Sequence, residues 1–175
     1  MAMATLKSRL PSGRFYLCDT KLGWIGLVLS SKGLRATTTP RRSRDEALRE
    51  VSEMGATEPA SEAEACDLPR RLKAFAEGER VELARDIDWE GVSGFRRAVL
   101  EETLRIPAGE TRTYGWLASR VGSPRASRAV GRVMATNPLP IVVPCHRVVA
   151  SDGSLHGYGG GLDVKAALLR LEGAR

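Results

Sequence analysis

Residues 114–136 read YGWLASRVGSPRASRAVGRVMAT, and this stretch decides the fold of the second half of the chain. Tyr114 to Val121 has the composition of a helix, Gly122-Ser123-Pro124 is a turn signal, and Arg125 to Thr136 reads as another helix. Helix, short glycine-containing turn and helix is the layout of a helix-turn-helix, although other helical hairpins share it. Arg125, Arg128 and Arg132 fall at i, i+3 and i+7 and make one basic stripe. Ala126, Ala129 and Gly131 are small enough to let the helix backbone come close to a partner. No Asn or Gln precedes Asn137, so the helix lacks the side chains that read adenine edges in the major groove. The composition favours phosphates gripped by Arg and Ser, with a slim helix lying in a groove. A solvated basic face on a structural helix is the alternative, and charge pattern does not separate the two.

Upstream of this stretch, Phe95, Val99, Leu100, Leu104 and Ile106 make an amphipathic helix that Pro107-Ala108-Gly109 stops. The character of the chain differs before Trp89. From Arg14 to Thr39, β-forming runs alternate with turn signals, which predicts an antiparallel hairpin or three-stranded meander. Ser43 followed by Glu46 resembles a capping box opening a helix through about Met54, with Gly55 ending it. Residues 56–67, ATEPASEAEACD, are small, acidic and Pro-containing, and predict a mobile surface loop. A second short helix is expected over Leu68 to Ala76 and a strand over Val81 to Ile87. The expected class is α+β, with a small antiparallel-sheet domain over residues 1–89 and a helical domain over 90–175.

The 175 residues, 42% hydrophobic and 27% charged, are enough for packed cores and exclude global disorder. Net charge is +6. Residues 1–89 hold 15 basic and 14 acidic side chains and residues 90–175 hold 12 and 7, so +5 of the excess lies in the second half, which suggests an anionic partner there. No apolar run reaches the length of a membrane span, and the N-terminus lacks an apolar h-region before a small-residue cleavage site. A cytoplasmic location is expected, nucleoid-associated in a bacterium or nuclear in a eukaryote. Cys18, Cys66 and Cys145 are odd in number and widely spaced, which argues against a disulfide framework. With only His146 and His156 to add, no metal site is expected.

Asn137-Pro-Leu-Pro140 leads into Ile141-Val-Val-Pro-Cys145-His146-Arg147-Val-Val149. An apolar run between prolines is expected to be buried, and a buried lone cysteine is most often an inert small hydrophobe. The neighbours of Cys145 are unusual, however. An imidazole follows at 146 and a guanidinium at 147, and either kind of group lowers a thiol pKa towards the nucleophilic thiolate. On an extended segment Cys145 and His146 would point to opposite sides, so direct coupling needs a backbone turn or a bridging water. Pro144 makes a turn plausible.

Pro144-Cys145-His146-Arg147-Val148, with Asn137-Pro138 and Pro140 before it and Gly157-Tyr158-Gly159-Gly160-Gly161-Leu162 and Lys165 after it, resembles the signature of the O6-alkylguanine-DNA alkyltransferases. The resemblance runs from about Phe95 to Gly173. It includes Ile106-Pro107, Gly109-Glu110-Thr111, Thr113-Tyr114 and Arg128-Ala129-Val130-Gly131. It implies a ribonuclease H-like N-terminal domain of structural or regulatory role, and a winged helix-turn-helix domain that binds DNA and carries the chemistry. Cys145 would take the alkyl group from O6 of guanine, and of O4-alkylthymine, as a permanent thioether, one lesion per molecule and with no cofactor. His146, a water and Glu172 would activate the thiol, as an orienting carboxylate does in a catalytic triad. Without the resemblance, Glu172 reads as an exposed acid near the C-terminus. Tyr114 would donate to N3 of the leaving guanine with Lys165 assisting, and Asn137 would tie the helix-turn-helix to the backbone around Cys145. Asn137 also reads as a helix C-cap, and both roles can hold.

A stacked base hides O6, so the nucleotide must be flipped out. The resemblance makes Arg128 the finger that fills the vacated stack from the minor groove. It places Tyr114, Gly115, Ser123, Arg125, Ala126, Ala129, Arg132 and Ser151 against DNA, and Met134, Pro140, Val148, Tyr158 and Gly159 around the substrate pocket. Some members carry serine where this chain has Gly159. Others bind zinc in the N-terminal half, which Cys18 and Cys66 with no histidine before His146 do not support. The partner implied is duplex DNA carrying O6-alkylguanine, met by a monomer, with cooperative binding along DNA left open. Two other kinds of protein compete with this reading: a DNA-binding regulator whose cysteine senses alkylation, and a cysteine hydrolase. A lesion-flagging relative without transfer activity would carry another residue in place of Cys145.

Overall fold

The computed structural model describes residues 13–174; the N-terminal segment read above for an h-region, and Arg175, lie outside the described residues. The fold is mixed α+β and divides into two compact units, Met1–Asp88 and Trp89–Arg175.

In the first unit β1 (Gly13–Thr20), β2 (Gly23–Ser30) and β3 (Gly33–Thr37) form the antiparallel meander expected from the alternation of β-formers and turns. Helix α1 (Arg44–Glu53) begins at Ser43, whose hydroxyl accepts from the Glu46 N–H at 3.2 Å. The Glu46 carboxylate reaches past the cap to the Arg42 N–H, a variant of the capping box. Ile25 to Leu29 of β2 is buried without interruption. One covering layer is α1, which comes so close that a side chain at Gly26 would lie 2.4 Å from Val51 Cγ1. Val28, Ala36, Val51, Met54 and Ala56 form the resulting core, flanked by Phe15, Leu17 and Leu48. Helix α2 (Leu68–Ala76) packs against β1, with Leu72 and Phe75 buried. The Cys18 thiol, pushed up to about 11 by burial, donates to the Pro69 carbonyl, so this cysteine is a packing residue.

Two expectations for this unit need correction. Residues 56–67 are not a loop throughout: β4 (Ala56–Pro59) adds to β1 in parallel, giving the sheet order β3-β2-β1-β4. It is an edge strand with three exposed residues and a terminal proline, which is why its composition reads as loop. Val81 to Ile87 is not a strand. It makes a single bridge, Leu34 to Ile87, because Asp86 turns the backbone at φ 50. That bridge requires Gly33: a Cβ there would sit 1.9 Å from the Asp86 carbonyl oxygen, and its φ is +133. Asp88 ends the unit with a buried ion pair to Arg35 and a 2.6 Å bond from the Ser30 hydroxyl.

The second unit contains α3 (Gly94–Leu104), β5 (Arg112–Thr113), α4 (Tyr114–Arg120), α5 (Ser127–Ala135), β6 (Val148–Val149) and α6 (Leu162–Leu171). Thr113 caps α4 by accepting from the Trp116 N–H at 3.0 Å. The turn closes through Ser123 N–H to the Ala118 carbonyl, with Gly122 at φ 73. Leu117 and Ala118 of α4 and Val130 of α5 are fully buried, and each Leu or Val so placed contributes about 1.5–3 kcal/mol. Helix α5 starts at Ser127, two residues later than the sequence suggests. Arg125 and Ala126 therefore lie in the turn, leaving Arg128 and Arg132 as the helical part of the basic stripe. Strands β5 and β6 pair in parallel, bringing the start of α4 beside the residues that follow Cys145.

Candidate active site

The site is built on a strained loop and a tight turn. Ile141 has φ 74, costly for a β-branched residue, and the Asn137 side chain brackets the loop that contains it. Its amide donates to the Val143 carbonyl at 3.0 Å, while its oxygen accepts from the Leu139 N–H at 3.0 Å. The run from Ile141 to Val149 is buried apart from half-buried Arg147, but it is not extended. Cys145–Arg147 forms a 3-10 turn, closed by Arg147 N–H to the Pro144 carbonyl at 2.9 Å. Successive side chains then diverge by about 120° rather than 180°. The turn left open by the sequence is therefore present.

Cys145 is buried, and burial pushes its thiol up. Four groups oppose that rise: the Asn137 amide, the Lys165 charge, and the backbone N–H groups of Cys145 and His146. His146 is 0% exposed, and burial pushes its pKa below 6.5, against the pull of Glu172. The imidazole Nε2 lies 3.0 Å from Glu172 Oε1. Glu172, at the C-terminus of α6, has a side chain only 3% exposed, not the solvated acid its position suggests. Burial pushes its carboxyl up, but hydrogen bonds and charge from His146 and Arg147 outweigh that and leave it at about 2.

An ionised carboxylate can only accept, so the proton of the neutral imidazole sits on Nε2 and Nδ1 carries the lone pair. Nδ1 is buried and has no hydrogen-bond partner among the described residues. The 145–172 arrangement thus offers a fixed base next in sequence to a thiol.

Arg147, read from the sequence as a positive charge beside the thiol, is engaged with Glu172 instead. Its Nε donates to Glu172 Oε2 at 2.9 Å and its Nη2 to Oε1 at 2.7 Å, a bidentate clamp that holds the carboxylate facing His146. A third donor, Nη1, binds the Ile106 carbonyl. Nothing in the local sequence points from residue 147 to residue 172; the pairing arises where α6 meets the turn.

The remaining candidates fall into two groups. Around Cys145, Lys165 is 1% exposed, with Nζ donating to the Val148 carbonyl at 2.7 Å and the His156 carbonyl at 3.0 Å. Tyr114, the first residue of α4, brings its hydroxyl to that same His156 carbonyl at a long 3.4 Å. Tyr158 has a buried hydroxyl with no partner among the described residues, and its pKa is raised by burial and by the nearness of Cys145 and Glu172. Val148 and Met134 are buried, Met134 against the Thr103 hydroxyl; Pro140 is half-buried, bridged to Val143, and Gly159 is exposed.

The second group lies on the helix-turn-helix. Arg125, Arg128 and Arg132 are exposed, and none of them forms an ion pair among the described residues. Four of the seven acids of this unit pair elsewhere: Glu101 with Arg97, Glu102 with Arg105 and Arg120, Glu110 with Arg112, and Glu172 with Arg147. The stripe thus keeps three exposed charges that none of these acids neutralises. Ala126, Ala129 and Ser123 are half-buried, and a Cβ at Gly131 would meet nothing within 4 Å. At Gly115 it would meet only the Thr113 hydroxyl at 3.9 Å. Packing within the chain does not demand a glycine at either position. Ser151 is exposed, at the tip of the turn after β6. No group of three His, Cys, Asp or Glu among the described residues could hold a metal ion, and none of their helices is long and apolar enough to cross a membrane.

Residues 94–174 match the family described as 6-O-methylguanine DNA methyltransferase, DNA binding domain. A methylated-DNA–protein-cysteine methyltransferase of Mycobacterium bovis is 47% identical over 105 residues, which span 60% of this chain and 63% of that relative's length. The crystal structure of Mycobacterium tuberculosis O6-methylguanine methyltransferase superposes with a TM-score of 0.74 at 34% identity, covering 93% of this chain and 94% of the other. The Mycobacterium tuberculosis OGT in complex with DNA gives 0.74 at 35% identity, with 91% and 92% covered. A likeness that reaches across both units, with the thiol and its neighbours on the matched segment, places this chain in the methylated-DNA–protein-cysteine methyltransferase family.

Proposed function

We propose that this protein repairs DNA by moving the alkyl group of O6-alkylguanine in a duplex directly onto Cys145, once and irreversibly. The observation that carries the reading is the buried, proton-free Nδ1 of His146, held in that tautomer by an ionised Glu172 beside the Cys145 turn. The thiol proton passes to Nδ1 through a water. The thiolate attacks the alkyl carbon, the carbon–O6 bond breaks, and its electron pair stays with guanine. A proton from the Tyr114 hydroxyl neutralises the base at N3, and the Lys165 ammonium, bound to the same carbonyl, stabilises the phenolate. The product is a thioether, and this sequence of steps calls for no cofactor.

The exposed, unpaired stripe of Arg125, Arg128 and Arg132 supports duplex binding, with Arg128 entering the stack as the lesion flips out. Open space at Gly115 and Gly131, with small Ala126 and Ala129 between them in sequence, supports a close approach of backbone to groove. In this reading the second unit holds both DNA contact and chemistry, a monomer serves one lesion, and the first unit is structural or regulatory.

Incubation with duplex O6-methylguanine DNA, followed by mass spectrometry, tests the reading. The peptide holding Cys145 should gain one CH₂, about 14 Da, and Cys145→Ala should bind DNA without gaining it. Intact lesions beside an unmodified Cys145 would overturn the reading. An O4-methylthymine duplex run in parallel measures whether that lesion is also a substrate.

A further inference from the structure

Residues 150–158 carry a line of side chains that the transfer steps above do not use. Ser154 Oγ lies 2.6 Å from Asp152 Oδ1 and 2.8 Å from His156 Nε2. Hydrogen bonds from the Ser154 hydroxyl and N–H hold the Asp152 carboxyl below the usual carboxylate range, so it is ionised and can only accept. The single hydroxyl proton of Ser154 is then committed to Asp152. Its contact with His156 must use an oxygen lone pair, which makes Nε2 the donor. The line therefore runs His156 to Ser154 to Asp152, and both the neutral Nε2–H tautomer and the imidazolium satisfy it. Backbone bonds from Ala150 N–H to the Ser154 carbonyl and from Gly153 N–H to the Ala150 carbonyl, both 3.0 Å, anchor Ser154 to the end of β6.

The backbone of the same residue, His156, is where Lys165 Nζ and the Tyr114 hydroxyl converge. The next residue, Gly157, has φ +26 and nothing within 4 Å of where a Cβ would be, so packing does not fix the peptide from that side. The exposed imidazole has no other hydrogen-bond partner than Ser154 among the described residues.

We propose that His156 is a positioning residue for alkyl transfer: its imidazole, through Ser154 and Asp152, holds the 156 carbonyl where it gathers the Lys165 ammonium and the Tyr114 hydroxyl. The role rests on the transferase reading above and adds to it a residue that touches neither the thiol nor its base. It acts on the step in which charge leaves with guanine, so its loss should lower the rate of transfer and leave DNA affinity intact.

The test uses the full chain and a duplex bearing one O6-methylguanine. Adduct formation at saturating DNA gives the single-turnover rate constant, and a binding titration with Cys145→Ala in the background gives Kd. His156→Ala and Ser154→Ala should each slow transfer about fivefold, the equivalent of one hydrogen bond of about 1 kcal/mol, with Kd unchanged. His156→Gln, whose amide N–H can donate to Ser154, should recover most of the rate. Wild-type rates in His156→Ala would overturn the role. So would a slowed His156→Ala beside an unaffected Ser154→Ala, a loss confined to Kd, or failure of Gln to rescue. If the wild-type protein forms no adduct, the transferase reading falls and this role with it; adduct in wild type with no effect of the variants removes the positioning role alone.

Discussion

Replacing Glu172 with Gln separates charge from shape at the centre of the site. The carboxyl moves from an ordinary 4.5 to about 2 in the folded chain. At about 1.4 kcal/mol per pKa unit that shift corresponds to about 3 kcal/mol. The guanidinium that clamps it is 14% exposed and therefore partly hydrated, so about 2 kcal/mol is the loss expected for Glu172→Gln at pH 7. A depressed acid gives its full stabilisation above the unfolded pKa and loses it as pH falls through the folded one. The gap between wild type and variant should thus narrow below pH 4.5, with more than half gone by about pH 3. His146 acts in a different window. Its pKa is depressed by burial, so its stabilisation is complete above 6.5 and falls as acid protonates the unfolded chain. Glu172 opposes that depression, and without it the variant should lose stability faster than wild type as pH first falls below 6.5. Urea unfolding at pH 7, 5.5, 4.5 and 3 reads all of this. Parallel curves over the whole range would refute the reasoning, because they would mean that Glu172 carries no folding-linked charge. The transfer rate gives a second readout, since a Gln amide can donate to Nε2 and so favour the tautomer that removes the lone pair from Nδ1.

Gly131→Ala should raise stability by about 0.5–1 kcal/mol through helix propensity, since a Cβ there meets nothing in the chain, yet weaken duplex binding if α5 lies in a groove; unchanged affinity in a filter or anisotropy titration would remove the close approach. Asn137→Ala unpairs the Leu139 N–H and leaves the Val143 carbonyl with the Cys145 N–H alone, a loss of about 1–3 kcal/mol, and takes from Cys145 the amide that opposes its raised pKa. The pH profile of Cys145 alkylation by iodoacetamide should move upward, and an unmoved profile would leave Asn137 a purely structural role. Arg128→Ala should slow repair in duplex DNA more than transfer from the free methylated base, and equal slowing in the two assays would remove its part in flipping.

What was legible in the sequence is what local chemistry dictates. Ser43 with Glu46, the run from Tyr114 up to the Gly122-Ser123-Pro124 turn and the apolar spacing of α3 each specify a helix within a few residues, and α2 begins and ends where its pattern does. Local chemistry does not specify an element whose partners are distant. β4 exists because β1 offers an edge, not because ATEP favours extension, and Val81 to Ile87 fails as a strand because one bridge to Leu34 is all that the turn at Asp86 allows. The same division runs through the site. Pro144, Cys145 and His146 announce a reactive thiol by adjacency, but adjacency alone left two side chains pointing apart. Their usefulness depends on a carboxylate 26 residues away, clamped by Arg147 at two oxygens and buried where α6 meets the turn. An imidazole without that carboxylate has two tautomers and no fixed base. Glu172 supplies only acceptors, which is why one of those tautomers prevails and why, in the proposed transfer, an acid that reads as a solvated terminal residue serves the thiol. The order of dependence follows: Arg147 keeps Glu172 ionised, Glu172 fixes the proton of His146, and His146 is thereby left with one nitrogen free to take the proton of Cys145.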